Sequence, residues 1–186
     1  MLAVANTEQL PVAAARNGNA RAWDALFRRY QLPLYAYVAE LVRHEQTALD
    51  LVQESFIAAS RHIATLTDDA RFGSWLFSIA HQKVVQHWRK RGRESALFAE
   101  VDETLDDRPA DEAIPSEWII RREEEERFLA LLAKLPEPHR AVLLLHYLED
   151  FSLEEIATVT GAKIGTIKSR LHYAKKSLRQ LLEEQP

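Results

Sequence analysis

The feature that most constrains this chain is a pair of short amphipathic segments joined by a glycine near the C-terminus. Ser152–Glu155 is a capping box, in which the serine oxygen accepts the N3 amide and the Glu155 carboxylate accepts the serine amide. Gly161 follows the first segment, where a turn needs positive φ. Apolar residues of the second segment recur at intervals of three and four: Ile164, Ile167, Leu171, Ala174 and Leu178. Two helices joined by a tight glycine turn form a helix-turn-helix.

The second of these helices carries charge of one sign beside its apolar stripe. No carboxylate occurs between Ile156 and Leu182, whereas the same stretch holds the cations Lys163, Lys168, Arg170, Lys175, Lys176 and Arg179. A solvated surface helix usually mixes both signs, so the segregation favours phosphate neutralisation and major-groove contact. The segment is therefore interpreted as a DNA-binding helix, a feature that many kinds of regulator share.

The distribution of charge matters more than the net charge of −4, which alone argues against nucleic acid binding. The stretch Arg71–Arg93 has no acid and contains Arg71, Lys83, Arg89, Lys90, Arg91 and Arg93. The stretch Glu94–Glu117 carries nine acids against the single base Arg108. Two basic surfaces therefore flank an acidic connector.

Composition excludes several classes of function. The chain has no cysteine, which removes disulfides, thiolate zinc sites and cysteine nucleophiles and fits a cytoplasmic protein. The seven histidines do not lie at metal-ligand spacing, and no nucleophile elbow, phosphate loop or HExxH motif occurs, so we expect no metal, no cofactor and no catalytic activity. The N-terminus lacks the pattern of a secretion signal, and no apolar run reaches transmembrane length, so no membrane insertion is expected.

The periodicity predicts an all-α chain of two small helical domains joined by a flexible acidic linker. The first domain, 1–92, should hold four helices, the second of which Pro33 should kink or split. One side of that helix is predicted to pack inward through Trp23, Leu26, Phe27, Tyr30, Leu34, Val38 and Leu41. Residues 93–117 lose all periodicity and form the linker. The second domain, 118–186, contains a helix ending before Pro136, a helix with Pro138 in its first turn, and the helix-turn-helix.

In both of its halves, the chain resembles a bacterial sigma factor of the extracytoplasmic-function (ECF) class of the sigma-70 family. Asn17–Tyr30 is similar to the opening helix of that family, and Ala48–Phe56 to its polymerase-binding signature. Phe72–Arg89 looks like its promoter-melting helix, and Leu135–Leu171 matches its C-terminal region. Four motifs in the correct order and at the correct separations make the resemblance strong.

The resemblance implies three sets of site residues. Those implied for polymerase binding are Asp50, Leu51, Gln53 and Glu54. Those implied for the melted minus-ten element are Arg71, Trp75, His81, Gln82, Lys83, Gln86, Trp88 and Arg89. Those implied for the minus-thirty-five element are Thr166, Lys168, Ser169, Arg170, His172, Tyr173 and Lys176. Cations with planar side chains suit single-stranded DNA, which agrees with the second set.

The sequence departs from the family pattern at both DNA surfaces. His81-Gln82 stands where Arg-Asn is common, and Tyr173 replaces a frequent arginine. Because bidentate pairing of arginine with guanine is the commonest specific contact, no promoter sequence is predicted from these residues.

The resemblance therefore implies a dissociable subunit with no catalytic activity that directs core RNA polymerase to promoters. The expected partners are core RNA polymerase, promoter DNA as duplex and as melted single strand, and an anti-sigma protein. The alternatives are a helix-turn-helix transcription regulator that is not a polymerase subunit, or a sigma-like adaptor. A regulator needs neither the Asp50–Phe56 helix nor the basic, aromatic stretch Arg71–Arg93.

Overall fold

The computed structural model describes residues 10–90 and 128–183, which are helical and contain no strand. The N-terminal unit consists of α1 (Val12–Arg16), α2 (Ala20–Val42), α3 (Glu45–His62) and α4 (Phe72–Lys90). The C-terminal unit consists of α5, described over residues 128–132, followed by α6 (Glu137–Tyr147), α7 (Leu153–Thr160) and α8 (Ile164–Glu183). The all-α prediction is confirmed, while the predicted linker at 93–117 lies outside the described residues.

Polar side chains fix where the N-terminal helices begin. The Asn19 side chain accepts hydrogen bonds from the amides of Arg21 and Ala22, so α2 starts with two of its free N–H groups satisfied. Arg16, which ends α1, donates to the Asp69 carboxylate and to the Leu66 carbonyl, the latter at 3.0 Å. These bonds hold α1 against the loop that precedes α4.

Helix α2 runs without interruption through Pro33, so the chain does not split there. Proline removes one amide donor, but the residues that follow it, Leu34, Tyr37 and Val38, are buried in the core. Their packing outweighs the lost hydrogen bond. Sequence periodicity was also wrong about Phe27, which is 43 % exposed and contacts Phe56 at the surface, with ring centroids 4.8 Å apart.

The central element of the N-terminal unit is α4, which packs against both α2 and α3. Its fully buried residues are Phe72, Leu76, Phe77, Ala80 and Val84. Gly73 lets α4 approach α2 closely, because a Cβ at this position would lie 3.0 Å from the Tyr30 hydroxyl oxygen. The close approach places the Tyr30 and Phe72 rings 5.5 Å apart.

The predicted helix-turn-helix is present in the C-terminal unit. The Glu155 amide donates to the Ser152 hydroxyl at 3.2 Å, and the Ser152 amide donates to the Glu155 carboxylate at 2.9 Å, which completes the capping box. Gly161 ends α7 with φ of 69°, as expected for a left-handed C-cap. The apolar stripe of α8 is buried except at Ile164, the first residue of the helix, which is 40 % exposed.

The two units pack on each other. Helix α7 lies along α4, and α6 contacts α2. The Phe151 ring, just before α7, meets the Phe77 ring of α4 edge to face, with centroids 5.3 Å apart and an interplanar angle of 88°. None of the helices seen at residues 10–90 or 128–183 has the length and apolar character needed to cross a bilayer.

Replacing Ser152 with alanine should lower the free energy of unfolding by about 1 kcal/mol, because the Glu155 amide at the start of α7 then loses its hydrogen-bond acceptor. Urea unfolding followed by circular dichroism measures this loss. Thr158→Ala is the matched control, since the Thr158 hydroxyl bonds only a carbonyl of its own helix. Equal stability of the two variants would show that the capping box does not stabilise α7.

Candidate nucleic-acid interface

The exposed face of α8 carries the positive charge predicted for duplex DNA. Lys168, His172, Tyr173 and Lys176 are all exposed along this helix. The His172 and Tyr173 rings meet edge to face at 5.4 Å, which limits the freedom of both side chains. Because these groups lie on one side of α8 and the apolar stripe lies on the other, the face is free to approach a major groove.

The remaining predicted duplex contacts lie closer to the protein interior. Thr166, Ser169 and Arg170 are half-buried. The Ser169 hydroxyl donates to the Gly165 carbonyl at 3.2 Å, within the first turns of α8. The charge of Arg170 contributes to lowering the pKa of His81 in α4. The structure therefore divides this set into an exposed part and a half-buried part.

The exposed minus-ten residues of α4 lie along one face of the helix, because Gln82, Gln86 and Arg89 follow one another at intervals of four and three. Arg71, Gln82, Gln86 and Arg89 are exposed, and Trp75 and Lys83 are half-buried, whereas His81 and Trp88 are buried. Trp75 packs beside Phe72, with ring centroids 5.8 Å apart. The exposed members can meet a nucleic acid strand in this arrangement, while His81 and Trp88 are covered by protein.

His81 takes part in an internal hydrogen bond. Its Nδ1 atom and the Tyr37 hydroxyl are 2.8 Å apart, and both side chains are buried. Burial, with a smaller contribution from the Arg170 charge, lowers the pKa of His81 to about 4. Burial also raises the pKa of the Tyr37 phenol, so both groups are neutral at pH 7.

Three of the four residues predicted to bind polymerase share the outer surface of α3. Asp50, Gln53 and Glu54 are exposed, and Leu51 is buried in the core behind them. The Gln46 side-chain amide donates to the Asp50 carboxylate at 3.1 Å. Glu54 pairs with Lys83 of α4 at 3.0 Å, which joins the edges of two predicted sites.

An apolar groove adjoins this surface, and sequence reasoning did not find it. Its volume is about 350 Å³, and it is lined by Trp23, Asp24, Phe27, Phe56, Ile57 and Ser60. Leu49, Gln53 and Ile57 follow one another at intervals of four, so they lie along one face of α3. Leu49 is 46 % exposed and Ile57 is 42 % exposed. The α3 surface thus combines polar groups with exposed apolar side chains, a composition suited to a protein partner.

Charged groups also lie where the two units meet, and no sequence pattern indicated them. Burial raises the pKa of Glu149 to about 7, while the charge of Arg29 in α2 opposes this and Asp150 adds to it. Glu149 and Glu155 both act on Tyr30 of α2, whose pKa is raised mainly by burial. Glu149 therefore lies against α2, and its carboxyl group has a pKa of about 7.

Comparison with known proteins identifies the class. Residues 26–94 match the family described as Sigma-70 region 2, and residues 125–178 match the family described as Sigma-70, region 4. These matches fall on the N-terminal and C-terminal helical units, respectively. The chain therefore belongs to the sigma-70 family.

Two relatives indicate which class of sigma factor the chain belongs to. The chain is 32 % identical over 192 residues to the RNA polymerase sigma-H factor of Pseudomonas aeruginosa, covering 98 % of this chain and 97 % of that one. It is 32 % identical over 174 residues to the ECF sigma factor SigL of Mycobacterium tuberculosis, covering 93 % and 96 %. The predicted ECF sigma factor is thereby confirmed, and the alternative of a regulator outside the polymerase is set aside.

Two solved structures share the fold. One is CnrH in complex with the cytosolic domain of CnrY, with a TM-score of 0.68, 25 % identity, and coverage of 96 % of this chain and 99 % of that one. The other is the sigma factor RpoE in complex with the anti-sigma factor NepR from Bartonella quintana, with a TM-score of 0.62, 27 % identity, and coverage of 87 % and 98 %.

Glu149→Gln should raise stability at neutral pH and leave it unchanged in acid. A folded-state pKa of about 7, above the usual 4.5, means that the native state favours the protonated form, so the Glu149 contribution is present below pH 4.5 and is lost as pH rises through 7. Above pH 7 the variant should gain on the order of 1–3 kcal/mol over the wild type. Urea unfolding between pH 4.5 and 8 measures the difference.

The His81 contribution has the opposite sign, because its lowered pKa gives stability that is present above pH 6.5 and is lost as pH falls towards 4. The two contributions offset each other in the wild type, and Glu149→Gln should leave a stability that rises with pH. The control is Glu183→Gln, an exposed carboxylate of α8 that should follow the wild type. A constant difference between Glu149→Gln and the wild type would contradict the assignment of the titrating group.

Proposed function

We propose that this sigma factor binds core RNA polymerase, directs it to specific promoters and assists in melting the DNA, with no catalytic step of its own. The observation that supports this role is the occurrence of both sigma-70 regions, in order, on two separate helical units. The units correspond to proposed domains at 1–92 and 118–186, joined by the acidic linker at 93–117. Run-off transcription from a cognate promoter, with core polymerase and the purified chain, tests the proposal.

Polymerase binding is assigned to the surface of α3. Asp50, Gln53 and Glu54 project into solvent there, and Leu51 holds the helix to the core from its opposite side. The apolar groove beside them offers buried area that polar groups alone do not provide. A partner helix seated against α3 would contact both.

Minus-ten recognition is assigned to α4 and the turn before it. Arg71, Gln82, Gln86 and Arg89 are exposed and supply positive charge and amide groups. Trp75, half-buried beside Phe72, offers a planar surface near the Arg71 end of the helix. His81, Lys83 and Trp88 complete the proposed set. Lys83 is paired with Glu54, so polymerase binding at Glu54 would release a cation for DNA.

Minus-thirty-five recognition is assigned to α8. Lys168, His172, Tyr173 and Lys176 form its exposed face, and Thr166, Ser169 and Arg170 flank them. Lysines beside aromatic groups allow contacts to phosphates and to base edges in the same groove.

An anti-sigma protein is a further proposed partner, supported by the similar fold of RpoE in its complex with the anti-sigma factor NepR. Such a protein would act in the cytoplasm, where the polymerase works. Co-purification from native cells tests this, since the partner should compete with core polymerase for the chain.

The double variant Asp50→Ala, Gln53→Ala should weaken association with core polymerase roughly a hundredfold or more, because both side chains lie on the proposed contact surface. Helical content should stay unchanged, since neither residue is buried. Affinity is measured by fluorescence anisotropy and folding by circular dichroism.

The control removes the same two chemical groups, an amide and a carboxylate, from another helix. Gln180→Ala with Glu183→Ala removes one amide and one carboxylate from exposed positions of α8 and should leave polymerase affinity unchanged. Equal loss of affinity in both double variants, or loss of folding in the first, would argue against the assignment of α3.

Lys168→Glu should lower the affinity for duplex promoter DNA and make its dependence on salt shallower, by about one unit in the logarithmic slope. The reason is the loss of one phosphate or base contact on the exposed face of α8. Binding is measured across a salt series. Lys134→Glu makes the same charge change at an exposed position outside α8 and should keep the wild-type slope. Matching slopes for Lys168→Glu and the wild type would show that α8 does not face DNA.

A further inference from the structure

We propose that Arg16 is a positioning residue for minus-ten recognition, because its guanidinium binds the turn at residues 66–71, just before α4, and fixes the shape that this turn presents to melted DNA. The inference deepens the proposed function and rests on it, since that function assigns the melted strand to α4 and to this turn. Arg16 lies outside residues 26–94, which match Sigma-70 region 2, so the family match does not account for its role.

The turn lies at one end of the proposed single-strand surface. Gln82, Gln86 and Arg89 follow one face of α4. Trp75 precedes Gln82 by two helical turns and therefore lies on the same face. Arg71 stands directly before α4 and one turn before Trp75. A strand that follows this face therefore reaches Arg71 and the turn at the N-terminal end of the helix.

Arg16 binds the turn at two points. Its Nη2 atom donates to the Leu66 carbonyl at 3.0 Å and also to the Asp69 carboxylate. The Nε atom of Arg16 is buried, so solvent screens this charge-assisted pair less than a pair on the open surface. Leu66 is buried, and Asp69 begins a short 3₁₀ helix that ends at Arg71. Arg16 therefore fixes the backbone on both sides of the two exposed residues between Leu66 and Asp69.

Arg16 is itself held in place by the core. Val12 and Ala15 of α1 are buried. The Trp23 indole N–H of α2 donates to the Ala15 carbonyl at 3.0 Å. The Trp23 ring meets Phe72, the first residue of α4, edge to face at 6.4 Å. Because Phe72 directly follows the turn, α1, α2, the turn and α4 form a closed ring of contacts, in which Arg16 joins α1 to the turn.

The contacts within the turn are local and exposed. Asp68 accepts a hydrogen bond from the Ala70 amide at 3.0 Å and pairs with Arg71 at 3.4 Å, and these residues all face solvent. An exposed ion pair contributes little to a fixed geometry, since solvent screens it. Without Arg16 we therefore expect the turn to sample several conformations, and Arg71 to lose a fixed direction towards the DNA.

The test uses the holoenzyme, formed from the full-length chain and core polymerase, and a library of single-stranded DNA with a short random stretch. Sequencing the bound molecules gives the base preference at each position of the enriched motif. Arg16→Met keeps an apolar stem and removes every donor. It should lower the preference roughly fivefold or more at one end of the motif only, because the turn contacts one end of the strand.

The controls separate this effect from damage to the fold. Helical content and affinity for core polymerase should match the wild type, since the proposed polymerase surface on α3 does not include Arg16. Arg21→Met removes the same charge from an exposed position of α2 and should leave every base preference unchanged. Asp69→Ala removes the partner from the turn and should relax the same end of the motif, which keeps the test decisive if Arg16→Met does not fold.

A double variant separates position from charge. Loss of Arg16 alone leaves the Asp69 carboxylate without its cation, and this charge would repel the phosphates of DNA. Arg16→Met with Asp69→Asn removes that charge and does not restore the bonds to the turn. We therefore expect the double variant to lose the same base preference as Arg16→Met.

Three results would overturn the positioning role: full recovery of the preference in the double variant, an equal loss at every position of the motif, or an unchanged preference in both Arg16→Met and Asp69→Ala. In each case, an enriched motif and normal run-off transcription for the wild type would leave the proposed function intact. A wild-type holoenzyme that enriches no motif and gives no transcript would refute the proposed function and, with it, the role of Arg16.

Discussion

The packing of α4 against both units is the constraint on which the rest of the structure depends. On one side, Phe72 and Leu76 join α4 to α2 and α3, and Gly73 removes the Cβ that would hold α2 away. On the other side, Phe77 receives Phe151 and α7. A helix that is buried from two directions can present only its remaining strip to a ligand. This explains why the residues assigned to single-stranded DNA are exposed at some positions of α4 and covered at others.

The two sides of α4 differ in the kind of contact they make. The side facing α2 and α3 is mainly an aromatic and aliphatic core with a buried hydrogen bond, between Tyr37 and His81, whereas the boundary between the two units contains Arg29, Glu149 and Arg140. Desolvated charged groups cost free energy that hydrophobic packing must offset, so such a boundary is easier to separate than a core. The N-terminal unit should therefore hold its structure when the C-terminal unit moves away. That difference suits a protein whose two DNA-binding surfaces have to reach separate sites.

Residues within one motif also differ in role according to whether they are buried or exposed. In the Asp50–Glu54 stretch, Leu51 fixes the helix to the core and its neighbours face solvent, so one short sequence supplies both attachment and recognition. The exposed Ile57 one turn further on extends that surface with apolar area. Lys83 links the stretch to α4 through Glu54, which places the polymerase surface and the single-strand surface next to each other. Binding at one can therefore change the charge available at the other.

Interactions between residues that are close in the sequence were enough to predict much of this structure. The capping box at Ser152, the turn at Gly161 and the spacing of the α8 stripe depend on residues a few positions apart, and each is present as predicted. The exposed cations of α8 and the polar face of α3 could be predicted for the same reason. Periodicity misplaced Phe27 and Ile164, because it reports the direction of a side chain but not whether another element covers it.

Only the tertiary structure decided what lies between the units. Glu149 and Arg29 are 120 positions apart in the sequence, and nothing in either neighbourhood indicates that one acts on the other. The raised pKa of Glu149 and the lowered pKa of His81 result from loss of solvent when helices from both halves meet. Helix formation depends on neighbours along the chain, whereas desolvation depends on neighbours in space. The sequence therefore determined the helices and their candidate ligand faces, and the packing decided which of those faces are covered.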